Sequence, residues 1–265
     1  MKKIYALSLM AVMFNTQAYS HNRCLEMIEQ RINKYQLNLA QCELTPTDAP
    51  FIISFLNTHP HIKSLSLRGN NMGKSASLFA KNTSLTSLDL SNNMIKGRDI
   101  VDFANNTTLS NLDLSGNMIG TERLTALAKN KSLLSLSLVD TKATFSGVFW
   151  LAKNTTLKAL NLANNRLDDE SAVALAGNTS ITFLNLDHNA IDDKGVIGLS
   201  YNTNLTKLSL ACDREKLSED SILALSQNSS LTSLDLSNCN IGNSGVKILA
   251  QNSDMTWSSK FGHPS

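Results

Sequence analysis

One repeated pattern constrains the fold of this chain more than any other feature. The segment from Leu85 to Ile95 reads L-x-x-L-x-L-x-x-N-x-I, and the same spacing recurs in eight copies whose first residues lie 23 to 26 residues apart. The copies begin at Ile62, Leu85, Leu109, Leu133, Leu157, Ile181, Leu205 and Leu231, and we number them repeats 1 to 8. A degenerate ninth copy lies upstream, at Leu37, Leu39, Cys42 and Leu44. Chance does not maintain one register over so many copies, so the chain is read as a repeat protein.

Each repeat predicts a strand followed by a short helix. The fourth and sixth positions, such as Leu88 and Leu90, alternate with polar residues, which is the periodicity of a strand with one buried face. In repeat 5 the segment 168–176 begins with acidic residues, which favour a helix N-terminus, and Ala172, Leu175 and Ala176 are spaced to face the strand. One repeat orders about 24 residues at roughly 1–2 kcal/mol each, whereas its five or six buried aliphatic side chains return only about 1.5–3 kcal/mol each. One repeat therefore cannot fold alone and must stack on its neighbours.

The pattern resembles the leucine-rich repeat family, and the period of about 24 residues with a helical second half resembles its ribonuclease-inhibitor-like class. The resemblance covers about residues 35–254. It implies an α/β solenoid that winds as a right-handed superhelix, with a parallel β-sheet on the concave face and short helices on the convex face.

Two rows of polar residues run through the repeats. The ninth positions are Asn70, Asn93, Asn117, Thr141, Asn165, Asn189, Asp213 and Cys239. We expect them to bond unpaired backbone groups of their own loop and of its neighbour. A second row, which we call the helix-end asparagines, consists of Asn82, Asn106, Asn130, Asn154, Asn178, Asn202, Asn228 and Asn252. We expect these to adopt the left-handed conformation that ends helices, and because the row recurs where no N-x-S/T motif follows, we favour this backbone role over glycosylation.

The first 20 residues have the three parts of a secretory signal peptide. Lys2 and Lys3 precede an apolar run, and a polar segment with small residues follows as far as Ser20. The apolar run has about eleven residues, whereas a membrane-spanning helix needs roughly 20, so we expect a cleaved signal rather than a membrane anchor. Cleavage fits after Ala18 or Ser20, and we favour Ser20. The mature chain is then expected to be exported, to contain no membrane span and to be secreted or periplasmic.

The remaining sequence divides into an N-terminal cap with the degenerate repeat (21–61), the eight repeats (62–254) and a C-terminal tail (255–265). The range 22–36 carries an apolar stripe that includes Leu25, Ile28 and Tyr35, which predicts an amphipathic helix over the first strand. In the tail, Trp257 is expected to cover the last repeat. A bare terminal edge would also permit contact with a partner or a second copy.

The four cysteines leave their pairing open. Cys24 and Cys42 are close in sequence, and export permits a disulfide between them. Cys212 and Cys239 occupy nearly equivalent loop positions of adjacent repeats, whose strands lie about 4.8 Å apart, so they form either a second disulfide or two buried thiols. There is no C-x-x-C motif, and no histidine is placed to complete a metal site.

Composition and motifs argue against several functions. Charged residues make up 17% of the chain, and removal of the signal leaves 22 basic and 22 acidic residues, so we expect no electrostatic capture of nucleic acid. The motifs of phosphate-binding loops, nucleophile elbows and zinc proteases are missing from the sequence, and no histidine has a recognisable catalytic partner. We therefore expect no enzymatic activity, no cofactor and no metal.

Variation on the exposed side of the strands gives the candidate binding residues. They are Arg68 and the small polar residues Asp89, Asp113, Ser137, Asn161, Asn185, Ser209 and Asp235. Phe183, Asp187 and His188 of repeat 6 are exceptions, and we predict a binding hot spot there because large anchors usually dominate affinity.

Repeats 4 and 7 also depart from the pattern. In repeat 4, Phe145, Phe149 and Trp150 occupy the helix segment, and Trp150 stands where other repeats have alanine or glycine. These rings either pack between neighbouring helices or face outward as a partner site. The loop of repeat 7 is lengthened by the charged segment 213–217, which would flank a bound partner.

The asparagine-rich, helix-containing repeats are similar to those of leucine-rich effectors and secreted proteins of intracellular bacterial pathogens. That resemblance implies a non-enzymatic, exported scaffold that binds a host protein through its concave face. The alternative is a periplasmic or surface module that recognises a bacterial protein or glycan, and a further alternative is a regulator of small GTPases. The sequence leaves the oligomeric state open, although a monomer is expected.

Overall fold

The structure, a computed structural model, describes residues 22–121, 123–212 and 217–259. The predicted signal peptide, His21, Glu122, the charged loop 213–216 with Asp213, and residues 260–265 lie outside the described residues. The described chain forms an eleven-stranded sheet in which the strands follow one another in chain order. They are β1 (Ile32–Asn33), β2 (Gln36–Asn38), β3 (Ser64–Ser66), β4 (Ser87–Asp89), β5 (Asn111–Asp113), β6 (Ser135–Ser137), β7 (Ala159–Asn161), β8 (Phe183–Asn185), β9 (Lys207–Ser209), β10 (Ser233–Asp235) and β11 (Thr256–Ser258).

The core is built from the repeated leucines, in the register that the sequence predicts. Leu88 at the centre of β4 lies opposite Leu112 of β5, which lies opposite Leu136 of β6, and the same alignment runs from β2 to β10. Each of these three leucines is at most 2% exposed. Because the fourth and sixth positions face inward in every repeat, the helices pack on one side of the sheet and the other side forms the concave face. The predicted solenoid is confirmed.

The convex face carries one helical segment per repeat, and in repeats 1 and 2 this segment is a 3-10 helix. The segments are Gly73–Lys81, Gly97–Asn105, Leu124–Leu127, Phe145–Leu151, Asp169–Ala176, Asp193–Ser200, Glu219–Ser226 and Gly242–Leu249, and the helix Ala49–Thr58 precedes them. Ala172 and Leu175, predicted to face the strands, are at most 1% exposed.

The ninth-position asparagines join each repeat to the one before it. Asn117 is 2% exposed, and its Oδ1 accepts hydrogen bonds from the amides of Asn93 (2.9 Å) and Ile95 (3.0 Å) in the preceding repeat. Its Nδ2 donates to the carbonyls of Leu90 (2.9 Å) and Leu114 (2.8 Å). The expected pairing of backbone groups in both loops is therefore present.

The helix-end asparagines follow a different geometry from the predicted one. Asn82 has φ −70° and ψ 134°, and Asn106 has φ −69° and ψ 134°, so both are extended rather than left-handed. The reason lies in the side chain. In Asn130, Oδ1 accepts from the amides of Ser132 and Leu133, while Nδ2 donates to the carbonyls of Phe103 and Asn106 in the preceding repeat. Seven of these eight side chains are buried, Asn252 is half-buried, and all eight are hydrogen-bonded, which agrees with the preference for a backbone role over glycosylation.

The N-terminal cap corrects the prediction of one amphipathic helix over residues 22–36. A short helix, Arg23–Glu26, is followed by a 3-10 segment, Ile28–Arg31, and then by β1, which pairs antiparallel with β2. The chain has to turn back, with Lys34 at φ 55°, to place Leu37 in the core, and a continuous helix would prevent that turn. Tyr35, predicted to lie on the buried stripe, is consequently 62% exposed.

The C-terminal tail forms a further strand where the repeat pattern gives no sign of one. In β11, Trp257 lies opposite Leu234 of β10, and its half-buried ring packs against the core at the place of a repeat leucine. Trp257 therefore covers the last repeat, as expected. Two disulfides tie the solenoid near its ends: Cys24 pairs with Cys42, and Cys212 pairs with Cys239.

Candidate functional site

The concave face is made of the third, fifth and seventh positions of successive repeats. Eight of the predicted binding residues lie on it or at its border: Arg68, Asp89, Asp113, Asn161, Phe183, Asn185, Asp187 and Asp235. His188 lies in the turn beyond β8, at φ 53°, and its amide donates to the carbonyl of Ala211 (2.8 Å). Trp150 lies on the convex side, in the helix Phe145–Leu151, and is not part of this surface.

The acidic and amide side chains at the fifth position bond the protein's own backbone. Asp113 Oδ1 accepts a hydrogen bond from the amide two residues further on, that of Ser115, at 2.9 Å. Asn161 does the same for Ala163 (3.1 Å), and Asp235 does the same for Ser237 (2.9 Å). Asp89 and Asn185 form equivalent bonds. These side chains therefore cap the ends of the strands, and in Asp89 the second carboxylate oxygen also accepts a hydrogen bond from the Ser66 hydroxyl.

In repeats 4 and 7, where the fifth position is serine, the preceding repeat supplies the missing acceptor. Ser137 has no oxygen placed for the amide of Val139, and Ser115 Oγ accepts that amide at 3.3 Å instead. In repeat 7, Asp187 Oδ1 accepts from the amide of Ala211 (2.8 Å) and from the hydroxyl of Ser209 (2.6 Å). The carboxylate of Asp187, predicted as part of a hot spot, thus also holds repeat 7 against repeat 6.

Asp235 shows the electrostatic effect of this capping. Burial by itself would raise the pKa of the Asp235 carboxyl, but hydrogen bonds from Ser237 and Ser258 outweigh burial and hold that pKa below its usual range. The carboxylate is therefore charged at neutral pH while it serves the fold.

Among the third, fifth and seventh positions of the eight repeats, Phe183 is the one large hydrophobic side chain that is exposed. Its ring is 37% exposed on β8, and its register neighbours are the small Ala159 on β7 and Lys207 on β9. Lys158 and Lys207 are both exposed, and neither forms an ion pair with another described residue. Sequence reasoning missed both lysines because polar residues at the second and third positions look like ordinary solvent-facing residues. Their placement on either side of the strand that bears Phe183 is the signal that would have found them.

The aromatic residues of repeat 4 form a cluster on the convex side. The ring of Phe149 lies 5.8 Å from that of Phe145 and 5.7 Å from that of Trp150, and the Lys153 ammonium lies 4.1 Å from the Phe149 centroid. Trp150 is still 48% exposed. The rings therefore contact each other within one repeat, and the tryptophan keeps an outward face.

Within 22–121, 123–212 and 217–259, no group of three or more metal-binding side chains comes together. In the same residues, no helix has the length and apolar character needed to cross a membrane.

Comparisons with known proteins concern the repeats and the fold. A family model described as Leucine rich repeat matches residues 131–191, and a second, described as Leucine Rich repeat, matches residues 81–104, 105–128 and 227–250. No curated protein sequence matches the chain.

Several solved structures are similar. An internalin from Listeria monocytogenes is 23% identical with a TM-score of 0.51, over 77% of this chain and 63% of that chain. TLR13 in its complex with ssRNA13 is 21% identical with a TM-score of 0.60, over 84% and 32%. The Arabidopsis receptor kinase HAESA, in complex with the peptide hormone IDA and the co-receptor SERK1, is 20% identical with a TM-score of 0.50, over 77% and 38%. The chain thus spans less than two-thirds of each of these proteins, and at these identities the likeness concerns the fold.

Proposed function

Because this chain is a leucine-rich repeat protein, a class that typically serves as a non-catalytic protein-binding scaffold, we propose that its concave face binds another protein outside the cytoplasm. The observation that carries the proposal is the open sheet face. The helices of the described chain pack on the opposite side, and the fifth-position side chains are fixed by backbone hydrogen bonds. A surface held rigid before binding loses little conformational entropy when a partner docks.

The two disulfides favour a location outside the cytoplasm, where thiols are not kept reduced. Together with the predicted signal peptide, they lead us to propose an exported bacterial protein whose partner is a host protein. Arg68, Phe183, Asn185, Asp187, His188 and the fifth-position residues Asp89, Asp113, Asn161 and Asp235 line or border the proposed contact surface. Trp150 belongs to it only if the partner reaches round to the convex side.

Site-specific photo-crosslinking tests the proposal. A photoreactive amino acid would replace Asn111 or Ser233 on the concave face, and Tyr201, which is 77% exposed outside the sheet, would be the matched control. Exposure of the mature protein to host-cell extract should give a crosslinked partner from the two sheet positions and not from Tyr201. Crosslinks from Tyr201 alone would contradict binding through the sheet. Recovery of the mature protein only from the periplasm during infection would overturn the proposal that the partner is a host protein.

A further inference from the structure

We infer that Lys158, Phe183 and Lys207 form a docking patch for an acidic amphipathic α-helix of the partner protein, laid along the solenoid axis. We call these three residues the lysine–phenylalanine patch. The inference rests on the proposed function, because it assigns a chemistry to the partner that the concave face would bind.

The three residues lie on or next to three consecutive strands. The Phe183 amide donates to the Lys158 carbonyl at 3.0 Å, and Phe183 lies directly opposite Lys207 in the register of β8 and β9. On the β7 side of Phe183 the sheet carries only the small side chain of Ala159. The exposed ring therefore has an open space beside it in which an apolar side chain of a partner can pack.

The charge at this end of the strands is positive. The second and third positions of the eight repeats include Lys63, Lys158 and Lys207 and contain no acidic residue. The acidic residues of the concave face lie instead at the fifth and seventh positions, where Asp113, Asp187 and Asp235 bond the protein's own amides. A partner that approaches Phe183 thus meets two ammonium groups that form no ion pair with another described residue, which favours acidic side chains on either side of its apolar contact.

The spacing of the strands at the patch matches the rise of two turns of a helix. Neighbouring strands lie about 4.8 Å apart, so β7, which follows Lys158, and β9, which begins at Lys207, are separated by roughly 9.6 Å. In a helix, residues i and i+7 lie about 10.5 Å apart on one face, with i+3 and i+4 between them. In an extended peptide, residues on one face are about 6.8 Å or about 13.5 Å apart, and neither spacing is as close to the strand separation of roughly 9.6 Å as the helix spacing is. A helix with acids at i and i+7 and leucine at i+3 or i+4 therefore fits the lysine–phenylalanine patch.

A synthetic helix tests the assignment directly. The probe is a fluorescein-labelled, alanine-based peptide of about 18 residues with Glu at i and i+7 and Leu at i+3 and i+4, and the control probe has Lys in place of both Glu residues. Anisotropy titrations would use the mature full chain at low salt. We expect saturable binding of the Glu probe, with affinity at least about fivefold lower in each of F183A, K158E and K207E.

Lys63→Glu is the matched control variant, because Lys63 is an exposed second-position lysine at the far end of the same row. It should change affinity less than about twofold, and K158E should bind the Lys probe better than the unmodified chain does. Far-ultraviolet circular dichroism should be unchanged in every variant, since all the substituted side chains are exposed.

Several results would overturn the assignment. They are an absence of saturable binding up to about 1 mM probe, equal weakening by K63E, equal binding of the two probes, or tighter binding of a labelled oligo(dT) strand at the same salt. If the partner still crosslinks to the concave positions while the patch variants have no effect on its affinity, the patch fails and the proposed function stands. If crosslinks are missing from the concave positions, the proposed function itself fails.

Discussion

The carboxylate of Asp193 accepts a hydrogen bond from the amide of Ser218 at 2.8 Å and so caps a helix that belongs to the next repeat. It also accepts from the Ser221 hydroxyl. Asp169, one repeat earlier, accepts in the same way from the amides of Asp192 (2.8 Å) and Gly195 (3.0 Å). Acidic residues in the first helical turn therefore join successive helices, in addition to their favourable interaction with the helix dipole.

This capping predicts a loss of stability in acid. Burial raises the pKa of the Asp193 carboxyl, but hydrogen bonds from Ser221 and Ser218 outweigh it and leave the pKa below its usual range. The Ser171 hydroxyl lowers the pKa of Asp168 despite burial. Since the folded pKa lies below the unfolded value of about 3.9, the contribution is complete above that pH and is lost as pH falls through the folded pKa. Urea midpoints should therefore be flat from about pH 7 to 5 and fall below about pH 4.

Asp193→Asn should make this acid-dependent fall smaller, because the amide oxygen still accepts from Ser218 but no longer titrates. The neighbouring Asp192 provides the control, since its side chain forms no capping bond to its own helix. Asp192→Asn should leave the pH profile unchanged. A profile that is identical in D193N and the unmodified chain would contradict the explanation.

Removal of one ninth-position asparagine should weaken the contact between two repeats. Asn117→Ala leaves the amides of Asn93 and Ile95 and the carbonyl of Leu90 without their side-chain partner in a buried loop. We expect the free energy of unfolding to fall by about 2–3 kcal/mol, measured by urea denaturation. Asn111→Ala, on the exposed sheet face, should cost less than about 0.5 kcal/mol. Equal costs at the two sites would show that the asparagine row does not stabilise the stack.

The structural and binding roles of Asp187 can be separated by one conservative substitution. Asp187→Ala removes the acceptor for the Ala211 amide and the Ser209 hydroxyl and should cost about 1–2 kcal/mol. Asp187→Asn keeps an oxygen at that place, so its urea midpoint should stay close to that of the unmodified chain. If Asp187→Asn nevertheless weakens binding of the crosslinked partner, the charge of Asp187 contributes to recognition. Similar midpoints for the Ala and Asn variants would argue against the capping role.

The sequence predicts the repeated part of the fold well because one physical constraint recurs there. Leu88 and its equivalents can be buried only if every strand keeps the same register, so a single repeat predicts all of them. The cap is different, because Ile28 and Ile32 have helical spacing yet the position of Leu37 forces a hairpin turn. β11 was missed for a related reason: Trp257 takes the place of a leucine, and a search for leucines does not find it.

The candidate site was harder to predict than the fold. Fifth-position residues such as Asp113 look like free binding groups in the sequence, whereas the structure shows their oxygens on backbone amides two residues away. These hydrogen bonds form only where the strand ends, and the repeat pattern does not show at which residue each three-residue strand ends. Lys158 and Lys207 lie 49 positions apart in the sequence and become near neighbours only once the register of three strands is known.

Cys239 occupies the ninth position of repeat 8, where most other repeats have an asparagine that holds the preceding loop. Its disulfide to Cys212 joins the loops of repeats 7 and 8, with Cα atoms 4.8 Å apart, and so replaces the amide bonds by a covalent one. Both side chains are at most 9% exposed. Because a solenoid is stabilised mainly between neighbours, loss of this link should act locally.

A double variant, Cys212→Ser with Cys239→Ser, should therefore raise amide hydrogen exchange in β9, β10 and β11 and leave β4 to β6 protected, as measured by mass spectrometry. The loss should be about 2–4 kcal/mol, since a disulfide restricts the unfolded chain and the two serines cannot reproduce the amide bonds of an asparagine. The matched control is Cys24→Ser with Cys42→Ser, which should raise exchange in β1 and β2 instead, because that disulfide ties the N-terminal cap. If exchange rises uniformly along the whole sheet in either double variant, the solenoid unfolds as one unit. The prediction that each disulfide acts locally would then be wrong.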